Sequence, residues 1–368
     1  MKALRSSNLV PRKKNPKVPA EFKPAASWRE RLTGWKFSPT DKLCVSWGGG
    51  VDSTAMIIGL VLAGVKDLII THAETGSEWP ETVAYREIFR KWLQQHGLDF
   101  TQVQLQSKKY NGPLTVIQHA LNTNMLPSPA FAGRSCSVKF KVEVQRVWRN
   151  HQAWIKEIFS CGKAVVVFVG YECTEYKRVP ATPVVVNGKT VNKKIVERDE
   201  DGHYCSRRTK VTKSGKASKA QYHEYYPLMD WGWDRDLCEQ VISEAGLPIP
   251  RKSCCTICPH HKPWEVIELK RKHPELFAEA LRVEANGIGR VTNPDITGLG
   301  GREGWSWAGL NALDEALLAH GIDAANPDHV EALAKSNLGL DRSNNVVAVE
   351  DSQPEDETAD DRRPCELD

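Results

Sequence analysis

No run of about 18 apolar residues occurs anywhere in the 368-residue chain, which excludes a membrane-spanning helix. Met1 to Lys17 carries six basic residues and lacks an apolar segment long enough for a signal-peptide core, so the expected location is the cytoplasm, with reduced thiols. Internal repeats are missing, which argues against a solenoid or propeller. The ten cysteines are too scattered for a disulfide framework, and the useful question is which of them cluster at ligand spacing. Two familiar phosphate-binding signatures are also lacking. No Lys-Ser/Thr follows the glycines at Gly48 to Gly50, as a Walker A loop requires, and the G-x-G-x-x-G fingerprint does not fit.

Apolar residues make up 40% and charged residues 26%, a globular balance with room for two or three domains. The net charge of +4 hides an asymmetry. Residues 1–36 hold ten Lys/Arg against two acids and are expected to be flexible; residues 341–368 hold ten acids and three Arg and are expected to be a disordered acidic tail. A third block, Asn187 to Tyr222, holds ten Lys/Arg and four acids, with Asn187-Gly188 and Asp201-Gly202 placed like hairpin turns. It reads as an inserted basic hairpin or loop.

Between these blocks strand and helix patterns alternate. Leu43 to Ser46, Asp67 to His72, Phe100 to Leu105 and Ala164 to Gly170 read as buried strands. Asp52 to Ala63, Pro80 to Gly97, Leu114 to Asn122 and Val142 to Ile158 read as helices. Continuous apolar strands separated by helices predict an α/β fold, a parallel sheet with helices on both faces. Pro263 to Asn337 reads as helical, with Trp264 to Asn286 amphipathic.

The glycine-rich turn Gly48-Gly49-Gly50-Val51-Asp52-Ser53 lies between a strand and a helix. Its glycines can take positive φ and let a phosphate approach the backbone, while the N–H groups at the helix start and the Ser53 hydroxyl can bind phosphate oxygens. Asp52 would repel a phosphate unless it holds Mg²⁺ or orients the loop. The alternative is a glycine turn without a ligand. Cys254, Cys255 and Cys258 form a second constellation, and Cys136 a distant companion. Converging thiolates suit a four-iron four-sulfur cluster. The competing reading is a structural Zn²⁺ on Cys136, Cys255, Cys258 and either Cys254 or a His such as His260. Cys44, Cys161, Cys173 and Cys238 fall in strand or helix patterns and read as core, and Cys205 falls in the basic insertion.

The glycine turn resembles the PP-loop of the ATP pyrophosphatase superfamily, Ser-Gly-Gly-x-Asp-Ser, with Gly48 in place of the leading Ser and Ser46 just upstream. Thr71 to Thr82 is similar to the stretch after the second strand in the phosphoadenosine phosphosulfate (PAPS) reductase branch, with Glu74, Thr75 and Gly76 standing where that branch has Asp-Thr-Gly. Gly170 to Arg178 and Pro227-Leu228-Met229-Asp230-Trp231 match further motifs, so the likeness runs from about Leu43 to Pro259. It implies a PP-loop domain over about 37–262, with the basic insertion at 187–222 and the cysteine cluster at 254–258, then a helical extension over 263–340. It also implies ATP with Mg²⁺ at Ser46, Gly48, Gly49, Gly50, Asp52, Ser53, Glu74, Thr75 and Gly76, and basic groups such as Lys139, Lys141 or Arg178 on the transferred group. An iron-sulfur cluster is implied on Cys136, Cys255 and Cys258, with Cys254 as a possible fourth ligand.

The activity so implied is adenylation of an acceptor for sulfur transfer, with a sulfur donor protein or a nucleic acid as partner. Sulfonucleotide reduction is the alternative. The tail thiol Cys365 lacks the Gly and His of the reductase tail, and its acidic surroundings would raise its pKa. A third reading is a nucleotide- or nucleic-acid-binding module with a structural metal, the basic N-terminus and insertion tracking DNA or RNA while Tyr204, Tyr222, Tyr225 and Tyr226 stack bases.

Overall fold

A computed structural model describes residues 4–9, 28, 32, 41–178, 182–186, 189–193, 197–207, 222–341 and 343–348. The rest of the basic N-terminus, much of the insertion, the acidic tail beyond 348 and Cys365 lie outside the described residues. The chain is α/β. Four strands, β1 (Leu43–Trp47), β2 (Leu68–Glu74), β3 (Phe100–Gln104) and β4 (Val165–Phe168), alternate with helices α1 (Val51–Leu62), α2 (Pro80–Gln95), α3 (Val116–Thr123), α4 (Glu143–Asn150) and α5 (Ala153–Ser160). Then come β5 (Glu197–Arg198), β6 (Tyr204–Arg207), β7 (Tyr222–Tyr225) and helices α6 (Arg235–Glu244), α7 (Pro263–Lys272), α8 (Pro274–Ile288) and α9 (Trp307–Ala319).

The strands form one sheet in the order β5-β6-β7-β4-β1-β2-β3. Pairing is parallel from β7 across to β3. Alternation along β1 sends Leu43, Val45 and Trp47 to one face, against α1, α2 and α6, and Cys44 to the other, against Ile155 of α5. Helices therefore cover both faces, as continuous apolar strands require. Helix α1 is apolar nearly all round because it is enclosed by the sheet and by the Trp231–Trp233 segment. A Cβ on Gly59 would stand 2.5 Å from the Trp231 ring, so only glycine admits that approach.

The sequence reading needs correction at several places. Part of the insertion joins the sheet as a hairpin: β6 pairs antiparallel with β7 and β5 antiparallel with β6, so the sheet is not wholly parallel. Thr182–Val186 and Lys189–Lys193 pair antiparallel, with Asn187-Gly188 outside the described residues, and Gly202 turns the other hairpin with φ +87°. The expected helix Trp264 to Asn286 is two helices, because Pro274 cannot continue the first and holds His273 at φ −138°, ψ 65°. The expected helix from Val142 to Ile158 breaks between Asn150 and Ala153 and is preceded by a π-helical turn, Val138–Val142. Leu4–Arg5 pairs with Leu338–Leu340, which pairs with Val346–Ala348, so a stretch of each charged terminus is ordered in a small sheet. Cys161, expected in the core, is exposed where α5 ends.

Nor is the C-terminal part an appended layer. One apolar cluster joins Leu9, Trp79, Ile117, Phe140, Cys254 and Ile257 to Val266, Phe277, Trp307 and Leu313. Its polar fastening is Glu284 of α8, only 4% exposed, whose carboxylate accepts from Leu299 N (2.6 Å), Trp307 N (2.8 Å) and Ala308 N (2.9 Å). Two of those donors are the first N–H groups of α9, which have no intrahelical acceptor. Burial raises the pKa of Glu284 and these bonds oppose the rise. Glu284→Ala would strand three N–H groups and leave a cavity, and is expected to cost about 3 kcal/mol or more, read as a lowered denaturant midpoint.

Candidate functional site

The chain runs from β1 outward to β2 and β3, then crosses back to place β4 on the other side of β1. This reversal is a topological switch point, and in open α/β sheets ligands bind in the crevice beyond the strand ends there. The glycine turn leaves β1 at this crevice. Gly49 has φ +75°, and Gly50 caps α1 with no side-chain hydrogen bond. Gly48 N donates to Ser53 Oγ (3.1 Å), and Thr54 Oγ1 donates to Gly50 O (2.8 Å) while accepting from Trp47 Nε1 (3.0 Å). These bonds hold the turn open around the helix start, where unpaired N–H groups and the helix dipole favour an anion.

Three other segments close on this turn. At the end of β4, a Cβ on Gly170 would lie 2.8 Å from Ser53 Cα, so glycine is needed for this approach. From the cysteine segment, Ser253 Oγ donates to Gly48 O. That segment also docks on the loop after β2: Thr256 N donates to Ser77 O (2.7 Å), and Glu78 and Cys255 form an antiparallel bridge. Motifs some 200 residues apart in sequence thus share one crevice.

The expected ATP ligands fall into two sets. Gly48, Gly49, Gly50 and Ser53 line the turn, and Ser46 is a half-buried strand residue paired with Thr71. Asp52 carries no other described ion pair than that with Arg235 of α6 (2.9 Å). Glu74, Thr75 and Gly76 are structural joints. Glu74 Oε1 accepts from Gly76 N (2.7 Å), and its Oε2 accepts from Arg86 and, at 3.4 Å, from Gln102. Thr75 is fully buried and accepts from Cys255 Sγ (3.4 Å). Gly76, at φ +66°, leaves no space for a Cβ beside Thr115.

Among the expected basic groups, Lys139 sits in the π-helical turn with Nζ 3.3 Å from His119 Nε2. Burial and Lys139 together lower the pKa of His119. Lys141, two positions on, is the lysine whose charge reaches Cys255 and Glu78. Arg178 ends a 3-10 helix, and its side chain lies outside the described residues.

The nine described cysteines form no disulfide. Cys255 and Cys258 sit across a turn closed by Cys258 N donating to Cys255 O (3.1 Å). Cys136 lies near enough for its charge to raise the pKa of Cys255, which burial pushes to about 11. Cys254 faces the other way, with Sγ 3.4 Å from His261 Nε2. Burial holds Cys254 at about 12 and His261 at about 4, so thiol and imidazole are both neutral at pH 7. His261 Nδ1–H donates to Cys258 O (2.8 Å) and its Nε2 accepts from Trp79 Nε1 (3.0 Å). Cys136 and Cys255 thus share a neighbourhood with Thr75, Glu78 and Lys141, while Cys254, against His261, still feels the charge of Cys255, and Lys252 feels both Cys254 and Cys258.

Sequence reasoning gave no role to His72, Glu78, Arg86, Glu172 or Arg235. His72, Glu74 and Glu78 bring one ligand atom each within 4.8 Å of one another. The legible signal was His72 and Glu74 two apart on a strand, hence on one face. Glu172, just past Gly170, is 4% exposed and accepts from Thr174 N (3.1 Å) and Thr174 Oγ1. Burial raises its pKa to about 7, with added repulsion from Glu175 and Asp52. No family model and no curated protein matches the chain.

Between pH 4.5 and 7 the folded Glu172 retains a proton that the unfolded chain has released, so this group makes stability fall as pH rises through that window. Glu172→Gln should remove that slope and stabilise the protein by an amount on the order of 3 kcal/mol above pH 7. Thermal melts of both proteins from pH 5 to 8 check it; parallel curves would show that Glu172 does not titrate there.

Proposed function

We propose that the chain is a PP-loop enzyme of the PAPS reductase-like kind, which splits ATP between its α and β phosphates, adenylates an acceptor and passes it to a sulfur nucleophile. The observation that carries this reading is the meeting of the glycine turn, the ends of β2 and β4 and the cysteine segment at the switch point of one sheet. In this role the N–H groups around Gly48 to Gly50 and the Ser53 hydroxyl bind pyrophosphate, and Asp52, braced by Arg235, orients the helix start or a Mg²⁺ brought with ATP. Glu172 is placed to exchange a proton near neutral pH beside Asp52. Lys141, rather than Lys139, supplies positive charge to the cysteine side.

A cluster on the cysteines suits this role better than zinc, because sulfur transfer needs a metal that can bind sulfide or a thiolate substrate, whereas a four-ligand structural zinc is closed. A four-iron four-sulfur cluster on Cys136, Cys255 and Cys258 would supply an iron site that takes sulfide or thiolate. Reduced thiols of this kind belong in a reducing compartment such as the cytoplasm.

Of the four tyrosines offered for stacking, Tyr226 is fully buried against Tyr171 (5.7 Å) and Tyr204 is 6% exposed and covered by Arg198 (3.9 Å), while Tyr222 and Tyr225 on β7 are half-buried. Contact of the basic insertion with a DNA or RNA acceptor stays part of the enzymatic proposal through charge alone.

Replacing Asp52 and Ser53 together by Ala should cut ATP-dependent pyrophosphate release by about 100-fold or more. The partly exposed Asp52–Arg235 pair contributes only about 0–1 kcal/mol, so the variant should stay folded by circular dichroism; unchanged turnover would place the nucleotide elsewhere. Cys255→Ser should abolish the visible absorbance of anaerobically purified protein, and Cys365→Ser should leave it unchanged. A colourless wild-type preparation whose zinc content falls in Cys255→Ser would assign the thiols to a structural zinc instead.

A further inference from the structure

We infer that His72, Glu78 and Glu74 hold a divalent cation of the zinc class beneath the glycine turn, in a site separate from the cysteines. The His72 side chain is 1% exposed and that of Glu78 4%. His72 Nδ1–H donates to Trp47 O (3.1 Å), which leaves the lone pair on Nε2. That nitrogen is aimed at Glu78 Oε2, 3.5 Å away, and neither atom closes a hydrogen bond among the described residues. Two buried lone-pair sites facing each other repel unless a proton or a cation lies between them. A shared proton would draw them to about 2.7–2.9 Å. Two ligands about 2.0–2.1 Å from a tetrahedral zinc stand about 3.4 Å apart, which is the observed spacing.

The surroundings suit a bound cation. A carboxylate oxygen of Glu74 completes a triad within 4.8 Å. Arg86 donates to Glu74 and approaches Glu78 Oε2 (3.4 Å), bracing both carboxylates from outside. The His72 bond to the Trp47 carbonyl is the outer-shell contact that fixes the ring of a metal-bound histidine. The two carboxylates face one guanidinium, so Glu74, Glu78 and Arg86 together carry −1, and the Lys141 charge lies nearby. Lys141 and Cys255 are the other charged or titratable groups facing Glu78. An imidazole with two carboxylates selects zinc, manganese or ferrous iron over magnesium or calcium, which favour all-oxygen sets. A Cβ on Gly49 would stand 3.8 Å from His72 Cε1, so this charge lies directly under the turn.

Cobalt titration of the full-length, chelator-stripped protein tests it. One equivalent should bind with d–d absorption alone, persist when Cys255 and Cys258 are both Ser, and bind about 100-fold or more weakly in His72→Gln and Glu78→Gln. Unaltered cobalt affinity in His72→Gln would overturn the inference. Should these variants misfold by circular dichroism, X-ray absorption of the cobalt-loaded wild type decides: a nitrogen and oxygen shell for one equivalent supports the site, and sulfur-only coordination overturns it. Nitrogen NMR showing His72 protonated on both nitrogens at neutral pH, indifferent to cobalt's diamagnetic substitute zinc, would overturn it as well.

Discussion

The hydrogen bond from Thr256 N to Ser77 O, with the adjoining bridge between Glu78 and Cys255, fastens the cysteine segment to the parallel sheet. Much else hangs on that backbone contact. It brings Ser253 to the glycine turn and Cys255 to Thr75, and it seats Trp79 between Arg251, 3.2 Å over its ring, and His261, stacked at 5.6 Å. Backbone pairing suits this task, because it satisfies buried N–H and C=O groups whatever side chains the loop carries. The side chains are then free to supply thiols, a carboxylate and an imidazole at one place.

Charge inside the molecule follows the same economy. Asp314 is fully buried and is met by Lys270 (2.7 Å) and Arg271 (2.8 Å), which join α7 to α9. Glu74 and Glu78 meet Arg86 next to the crevice. A buried pair repays desolvation only with good geometry, and removing one partner strands the other charge. In the Asp314 network Lys270 and Arg271 also reach the more exposed Glu315 and Asp323, so each buried charge there is paired. In the crevice network a buried imidazole nitrogen faces Glu78 Oε2 and neither atom closes a hydrogen bond among the described residues, which distinguishes a centre able to take a ligand from a purely structural fastening.

The strands, the helices between them and the glycine turn were legible because each depends on local pattern. Apolar runs of strand length between helical spacings predict a covered parallel sheet, and Pro80 and Gly97 bracket α2 at the positions their backbones favour. The break at Pro274 was equally written in the sequence, since proline stops a helix from within. The π-helical turn at Val138–Val142 was not, because nothing in the period of the side chains marks one extra residue in a helical turn. That turn decides that Lys139 meets His119 while Lys141 acts on Cys255.

By itself the sequence determined the residue chemistry available: a glycine turn at a helix start, three thiols in five residues, and a histidine and glutamate two apart on one strand. Only the tertiary structure decided which of these meet. Strand order places β4 beside β1 and so makes a crevice at the glycine turn; docking of Thr256 on Ser77 turns Cys255 toward Cys136 while alternation of the extended chain sends Cys254 to His261; and β5 and β6 pair into the sheet, where Tyr204 and Tyr226 are buried and Tyr222 and Tyr225 half-buried. The physical reason is that pairing partners and side-chain direction depend on contacts between residues far apart in the chain, which local propensity and spacing do not encode.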